Sequence, residues 1–177
     1  MEGKSLLFKL LGDVEVVPLC IYSKENVEEE VSYISKLLGN FEGINLEDIK
    51  APECFAIEEG LNNLQKLPVF HDDQHGTAIV TLAGLINAVK VVDKNLHKCK
   101  ILINGAGAAG IAIGKLLLHY GVKDIIMCDS KGAIYKGRKE GMNDFKQQIA
   151  EVTNAENRKG KLKDVIEGCD IFIGVSQ

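Results

Sequence analysis

The sequence predicts an α/β protein in which helices cover a mainly parallel sheet. Short apolar runs typical of buried strands alternate along the chain with segments whose apolar residues recur every three to four positions, as in helices. One strand-to-helix junction, within residues 101–118, also contains the pattern Gly105-x-Gly107-x-x-Gly110. With 177 residues, of which 46% are hydrophobic, the chain can form one large domain or two small ones.

The composition argues against several classes of partner. The net charge is −4 with acidic and basic residues interspersed, so we expect no nucleic-acid or membrane partner. No apolar run is long enough to cross a bilayer, and the first residues are too charged for a secretory signal. The cysteines are odd in number and lack CxxC spacing, and three lie in or beside apolar runs. We interpret them as buried free thiols in a reducing compartment, the cytoplasm; they are Cys20, Cys54, Cys99, Cys128 and Cys169.

The first half of the sequence alternates between helix and strand patterns. After Ser23, acidic residues come early and apolar residues follow at helical spacing until Gly39, which is a helix stop signal. In chain order, we predict the end of a helix at Lys4–Leu11, a strand at Val16–Tyr22, a helix at Ser23–Leu38, a strand at Phe41–Leu46, a helix from Pro52 to about Gln65, a strand at Leu67–Phe70 and a long helix from about Gln74 to Val92.

The second half continues the alternation around the glycines. We predict a strand that ends at Asn104, a helix directly after the glycines, a strand at Asp124–Cys128, surface loops at Ser130–Asn143 and Asn154–Lys163, and a last strand at Asp170–Val175. We place a domain boundary near Asp73–Gly76, where the long helix forms a hinge between residues 1–75 and residues 76–177. The second unit is expected to be an incomplete Rossmann-type dinucleotide-binding domain.

The glycine motif is suited to binding a pyrophosphate. Gly105 permits a tight turn, Gly107 lets the backbone approach the phosphates, and Gly110 lets the new helix pack on the strand. The helix N-terminus then offers unpaired N–H groups to the anion, so Ala106, Ala108 and Ala109 join the glycines as candidate cofactor-binding residues. A glycine-rich turn with a purely structural role is the alternative.

Asp129 follows the second strand, about 20 residues after the glycines, where a carboxylate can accept hydrogen bonds from an adenosine ribose. Its charge favours NAD by repelling the 2′-phosphate of NADP. Ser130 and Lys131 could instead bind that phosphate, so NADP remains an alternative.

Two pairs of carboxylates follow predicted strands: Glu47-Asp48 and Asp72-Asp73. Ligands of open α/β sheets bind beyond the carboxyl ends of the strands, and oxygen donors favour Mg²⁺ or Mn²⁺ over zinc. Ordinary solvated turn carboxylates are the alternative. His71 and His75 bracket the second pair, and we expect structural or hydrogen-bonding roles for them. Lys4 is a surface charge unless burial or a second cation lowers its pKa enough to make it a general base.

Five segments together resemble the malic enzymes, particularly the compact type of bacteria, archaea and some protists. They are MEGK at 1–4, GINLEDI at 43–49, PVFHDDQHGTA at 68–78, NGAGAAG at 104–110 and CDSKGAIYKGR at 128–138. The resemblance covers essentially the whole chain. It implies oxidative decarboxylation of L-malate to pyruvate and CO₂, with hydride transfer to NAD(P), by a protein that is a homodimer at full length.

The resemblance also implies a role for each matching residue. Glu47, Asp48 and Asp73 match the ligands of a divalent cation, Mg²⁺ or Mn²⁺. Lys4 matches the general base, and Asp72 matches the aspartate that pairs with it. Gly105, Gly107 and Gly110 match the pyrophosphate loop, with Asp129 near the adenosine ribose.

Compact malic enzymes are roughly twice this long. Segments with the family's tyrosine acid, a substrate-binding arginine and later asparagines have no counterpart here, so residues 1–75 are expected to form only part of a substrate- and metal-binding domain. We therefore expect a fragment with little activity of its own, stable through self-association or with the missing pieces. Two alternative functions remain: a non-catalytic nucleotide-binding module, and a metal-independent enzyme of the amino-acid dehydrogenase kind.

Overall fold

The computed structural model describes residues 2–22, 26–38, 40–64 and 67–176. Its first part consists of helices and one short parallel strand pair. Strands β1 and β2 lie side by side, with Ile44 opposite Val69 and Leu46 opposite His71. The elements are α1 (Glu2–Gly12), α2 (Val27–Leu38), β1 (Ile44–Leu46), α3 (Glu53–Leu64), β2 (Val69–His71), a π-helical turn (Asp72–Gly76) and α4 (Thr77–Val91).

The second part is a four-stranded sheet in the order β5-β4-β3-β6. Strand β3 pairs in parallel with both β4 and β6, whereas β5 pairs antiparallel with β4 at the edge. The elements are a 3₁₀ turn (Leu96–Lys98), β3 (Lys100–Asn104), α5 (Ala108–Tyr120), β4 (Asp124–Asp129), β5 (Gly132–Ala133), α6 (Asp144–Val152), α7 (Leu162–Val165) and β6 (Ile171–Gly174). The predicted α/β class with a mainly parallel sheet is confirmed.

Strand β3 lies at the centre of the main core. Ile101, Leu102 and Ile103 are completely buried because β3 is flanked by strands on both sides and covered on both faces. Such burial explains why these positions are continuously apolar rather than alternating. A smaller core joins α2, α3 and β1, with Ile34, Ile57 and Leu61 at its centre.

The predicted strand at Val16–Tyr22 is wrong. These residues form no regular secondary structure, and Val17, Leu19 and Tyr22 are exposed. An apolar run becomes a strand only if a neighbouring strand accepts its backbone hydrogen bonds, and no strand among the described residues pairs with this one. Pro18 also lacks an N–H to donate. The expectation that the cysteines are buried is confirmed at Cys54, Cys99 and Cys128. It is wrong at Cys20 in this segment, which is exposed, and Cys169 is only partly buried.

The predicted surface loop at Ser130–Asn143 is wrong in part, because it contains β5, and Ala133 and Ile134 are buried against β4. The other predicted helices and strands are present with shifted ends. The helix predicted from Gln74 begins as a π-helical turn before it becomes α4. The helix boundaries placed at Ser23, Gly39 and Gln65 lie outside the described residues. Among the residues that the structure describes, no helix is both long and apolar enough to cross a membrane.

Candidate active site

The carboxylates that follow β1 and β2 come together because the two strands are parallel neighbours and end at the same edge. One carboxylate oxygen from each of Glu47, Asp48 and Asp73 lies within 4.8 Å of the other two. We call these three residues the acidic cluster. The structure thus brings together the three predicted metal ligands, and Asp72 is not among them but pairs with Lys4.

Backbone strain contributes to the geometry of the acidic cluster. Asp48 has a φ of 57°, in the left-handed region that residues other than glycine adopt at a cost. Its conformation turns the chain sharply directly after β1, between Glu47 and the following residues. Strained residues are concentrated at functional sites, where the surrounding structure maintains them.

Asn45 supports Glu47 from within β1. Its Nδ2 donates a hydrogen bond of 3.2 Å to Glu47 Oε2. Sequence analysis did not identify Asn45, although a signal was available: side chains two apart on a strand share a face, so Asn45 points to the same side as Glu47. Asn45 Oδ1 is buried without a hydrogen-bond partner among the described residues.

Lys4 forms an ion pair with Asp72. Its Nζ lies 2.6 Å from Asp72 Oδ2 and 3.4 Å from Glu47 Oε2, so α1 brings one cation to the rim of the acidic cluster. The hydrogen bond to Asp72 raises the pKa of Lys4 and outweighs the opposing effect of desolvation. In this arrangement the lysine is protonated, and Asp72 holds it in place.

The acidic cluster fits a hard divalent cation. Its donors are all carboxylate oxygens, the ligand type that Mg²⁺ and Mn²⁺ prefer. Oxygens around an octahedral Mg²⁺ lie roughly 3–4 Å apart, so the observed spacing needs only a small contraction to hold one ion. Lys4 supplies a single positive charge at the rim, which leaves the cluster negative overall.

The two histidines do not act together. His71 is fully buried, and neither of its ring nitrogens has a hydrogen-bond partner among the described residues. His75 Nε2 lies 2.6 Å from Glu58 Oε1, and Gln74 donates to the other oxygen of Glu58. Glu58 on α3 therefore holds the π-helical turn in place. No sequence signal pointed to this residue, because 16 positions separate it from Gln74.

The glycine loop has the geometry of a close backbone turn. Gly105 has a φ of +125°, and a Cβ at Gly110 would lie 1.8 Å from the carbonyl oxygen of Gly105. Neither position tolerates a side chain, whereas a Cβ at Gly107 would meet nothing within 4 Å. Gly107 is the N-cap residue of α5, and no side chain caps this end of the helix. The backbone N–H groups of the first turn, including those of Ala108 and Ala109, therefore remain available to an anion. Ala106, between the first two glycines of the loop, is buried.

Asp129 is held by two cations that sequence analysis did not identify. Arg138 donates to both of its carboxylate oxygens, and Lys146 Nζ lies 2.7 Å from Oδ2. Burial alone would raise the pKa of Asp129, but the hydrogen bonds from Arg138 and Lys146 prevail and lower it to about 2. The two cations neutralise the negative charge of Asp129, the charge from which the sequence led us to expect repulsion of a 2′-phosphate.

The neighbours of Asp129 remain at the surface. Ser130 is exposed, and Lys131 donates its backbone N–H to Asp129 while its side chain lies 3.1 Å from Glu140. The side chain of Lys131 is half exposed, so it can reach a ligand at this end of β4.

An element next to the glycine loop packs against an element of the acidic cluster. Helix α5, which begins at the glycine loop, packs against the π-helical turn that contains Asp72 and Asp73. The helix that begins at the glycine loop is thus in direct contact with the turn that supplies Asp73 to the acidic cluster.

Comparisons with known proteins identify the family of the chain. Residues 74–177 match the family model described as malic enzyme, NAD binding domain. The chain is 56% identical over 176 residues to a bifunctional malic/malolactic enzyme of Bacillus subtilis and 51% identical to an NAD-dependent malic enzyme of Geobacillus stearothermophilus. These alignments include 99% of the chain but 43% and 36% of the relatives, so it spans less than half their length.

A solved structure is similar over the full chain. The NAD-dependent malic enzyme of Thermotoga maritima superposes with a TM-score of 0.94 at 44% identity, over 100% of this chain and 47% of that one.

Proposed function

The chain belongs to the family of malic enzyme NAD-binding domains, and on that premise we propose that it contributes the metal site, the general base and the pyrophosphate loop of a malic enzyme. The proposed reaction is oxidative decarboxylation of L-malate to pyruvate and CO₂ with hydride transfer to NAD(P). The observation that carries this proposal is the convergence of Glu47, Asp48 and Asp73 within 4.8 Å, beside the Lys4–Asp72 ion pair.

A divalent cation in the acidic cluster would act as a Lewis acid that polarises the oxygens of malate. Glu47, Asp48 and Asp73 would hold it in a fixed position with respect to Lys4. In the oxidation step, NAD(P) held at the glycine loop would supply a hydride acceptor for C2, and Lys4, once deprotonated, would accept the proton of the C2 hydroxyl. The products of that step are oxaloacetate, reduced cofactor and protonated lysine.

In the second step the C3–C4 bond of oxaloacetate would break, C4 would leave as CO₂, and the bonding electron pair would form the enolate of pyruvate. The enolate would take a proton from water at C3 to give pyruvate, and Lys4 would return to the solvent the proton that it accepted in the first step. Asp72 serves both steps by keeping Lys4 at the site. The hydrogen bond to Asp72 raises the pKa of Lys4, which by itself opposes its use as a base. A cation beside Glu47 acts in the other direction because like charges disfavour the ammonium form.

We propose that the nucleotide site accepts both NAD and NADP. The sequence favoured NAD because Asp129 should repel a 2′-phosphate. With Arg138 and Lys146 bonded to that carboxylate, the three groups together carry one positive charge. This charge supports binding of the extra phosphate without preventing NAD from binding.

We further propose that residues 1–75 belong to the substrate- and metal-binding part and residues 76–177 to the dinucleotide-binding part. The complete protein is proposed to be a homodimer. Five free cysteines, three of them buried, favour a reducing compartment, which we propose is the cytoplasm.

The test is an assay of the complete protein with malate, Mn²⁺ and NAD or NADP, in which reduced nicotinamide and pyruvate are measured together. We expect both products in equal amounts, loss of activity with a chelator and recovery with Mn²⁺. Activity that survives the chelator would instead indicate a metal-independent dehydrogenase. Nucleotide binding without turnover would indicate a non-catalytic module.

A further inference from the structure

Gly76 is a glycine whose backbone does not require one. It has φ −60° and ψ −51°, which are ordinary helical values, and it lies between the π-helical turn and α4. Glycine weakens a helix relative to alanine because it loses more conformational freedom on folding. Backbone conformation therefore does not explain why residue 76 is a glycine. The atoms that surround the position of a Cβ at residue 76 offer an explanation.

That space is occupied by the carboxylate of Asp72. A Cβ at position 76 would lie 2.3 Å from Asp72 Oδ1 and 3.1 Å from Asp72 Cγ. Both distances are shorter than a van der Waals contact, so the carboxylate would have to move. Its second oxygen, Oδ2, accepts the 2.6 Å hydrogen bond from Lys4. Since the two oxygens are rigidly joined through Cγ, displacing one displaces the other.

We propose that Gly76 is a positioning residue, which leaves room for the Asp72 carboxylate to fold back over its own helical turn and hold Lys4 at the acidic cluster. The catalytic consequence rests on the proposed function, whereas the placement of Asp72 does not. None of the three nearest atoms to the missing Cβ belongs to the acidic cluster, so filling the space should spare metal binding.

The experiment is a double-mutant cycle in the complete protein that combines Gly76→Ala with Asp72→Ala. The matched control is Gly84→Ala, because Gly84 lies in α4 and a Cβ there would meet nothing within 4 Å. Thermal unfolding midpoints, Mn²⁺ affinity and the kinetics of malate oxidation are measured for each variant. Unfolding and Mn²⁺ binding need no turnover, so they test the placement of Asp72 independently of catalysis.

We expect Gly84→Ala to raise the midpoint slightly and Gly76→Ala to lower it by about 2–4 °C. In the Asp72→Ala background, Gly76→Ala should raise the midpoint as Gly84→Ala does, because the carboxylate that it would strike is gone. Gly76→Ala should lower kcat about tenfold or more when Asp72 is present and less than about twofold when it is absent. The Mn²⁺ affinity of the Gly76→Ala variant should equal that of the unmodified protein.

The proposal would be overturned if the effects of Gly76→Ala and Asp72→Ala on the unfolding midpoint were additive. It would also be overturned if Gly76→Ala lowered Mn²⁺ affinity as much as activity. In either case Gly76 would affect the fold in general and not Asp72 in particular. If the midpoints are non-additive but kcat is unchanged, Gly76 does position Asp72 and the catalytic role of the Lys4–Asp72 pair is wrong.

Discussion

At the scale of single residues, the carboxylates at the strand ends differ in their partners. Asp72 and Asp73 are adjacent in the chain, yet Asp72 pairs with Lys4 and Asp73 joins the acidic cluster. Asp129 faces Arg138 and Lys146. The sequence predicted carboxylates at strand ends correctly. It could not reveal the partners of Asp129 because they depend on loop conformation beyond β4.

Asp129 makes a pH-dependent contribution to stability. Its pKa of about 2 lies below the value of about 3.9 expected in the unfolded chain, so the stabilisation is complete above about pH 5 and is lost as the pH falls toward 2. Asp129→Asn should lower the free energy of unfolding by about 2–4 kcal/mol at pH 7, since it leaves two cations unpaired. Denaturant unfolding at several pH values measures this difference.

The difference between the Asp129→Asn variant and the unmodified protein should shrink as the pH falls from about 4 to 3. The exposed aspartate Asp93 provides the control, because Asp93→Asn should have little effect at any pH. A penalty for Asp129→Asn that stays constant from pH 7 to 3 would show that its charge contributes nothing.

Lys146 should affect the two nucleotides unequally. Lys146→Gln removes one of the two cations at Asp129, so the net charge of Asp129 and Arg138 together is zero. NADP affinity should therefore fall about tenfold, while NAD affinity changes much less. Titration of NAD and NADP with fluorescence or calorimetric detection measures both. Lys163→Gln, at an exposed position on α7, serves as the control. Equal losses for both nucleotides would contradict the proposed role of this charge.

At the scale of elements, the strands with the clearest sequence signals are those with the most complete burial. The run Ile101–Ile103 is recognisable because all three residues are buried between two strands. Val16–Tyr22 is similarly apolar but remains irregular. The apolar character of a segment does not reveal whether another strand lies beside it, and a strand requires such a neighbour to accept its backbone hydrogen bonds.

The glycine loop allows stability and binding to be separated. Gly107→Ala should fold with a loss of stability of about 1 kcal/mol or less, because its Cβ would meet nothing within 4 Å, but it should weaken NADH binding by crowding the phosphates. Gly110→Ala should destabilise the protein strongly, since its Cβ would overlap the Gly105 carbonyl. Unfolding and NADH titration of both variants measure this. Identical behaviour of the two variants would contradict a phosphate-binding role for Gly107.

At the scale of the whole molecule, the packing of α5 against the π-helical turn brings two separately recognisable signals together. The glycine motif and the carboxylate pairs could each be read from local spacing. Their proximity, and the contact between Lys4 and Asp72 over 68 positions, could not, because long-range contacts depend on how the elements pack. The central claim is that Glu47, Asp48 and Asp73 hold one divalent cation beside Lys4.

The most direct measurement is titration of the protein with Mn²⁺, followed by calorimetry or by electron paramagnetic resonance. The unmodified protein and the Asp93→Asn control should bind one Mn²⁺ per chain with the same affinity. Asp73→Asn should bind it about 100-fold more weakly or not at all, because one of three carboxylate ligands is lost. Binding by the Asp73→Asn variant as tight as that of the unmodified protein would contradict the account.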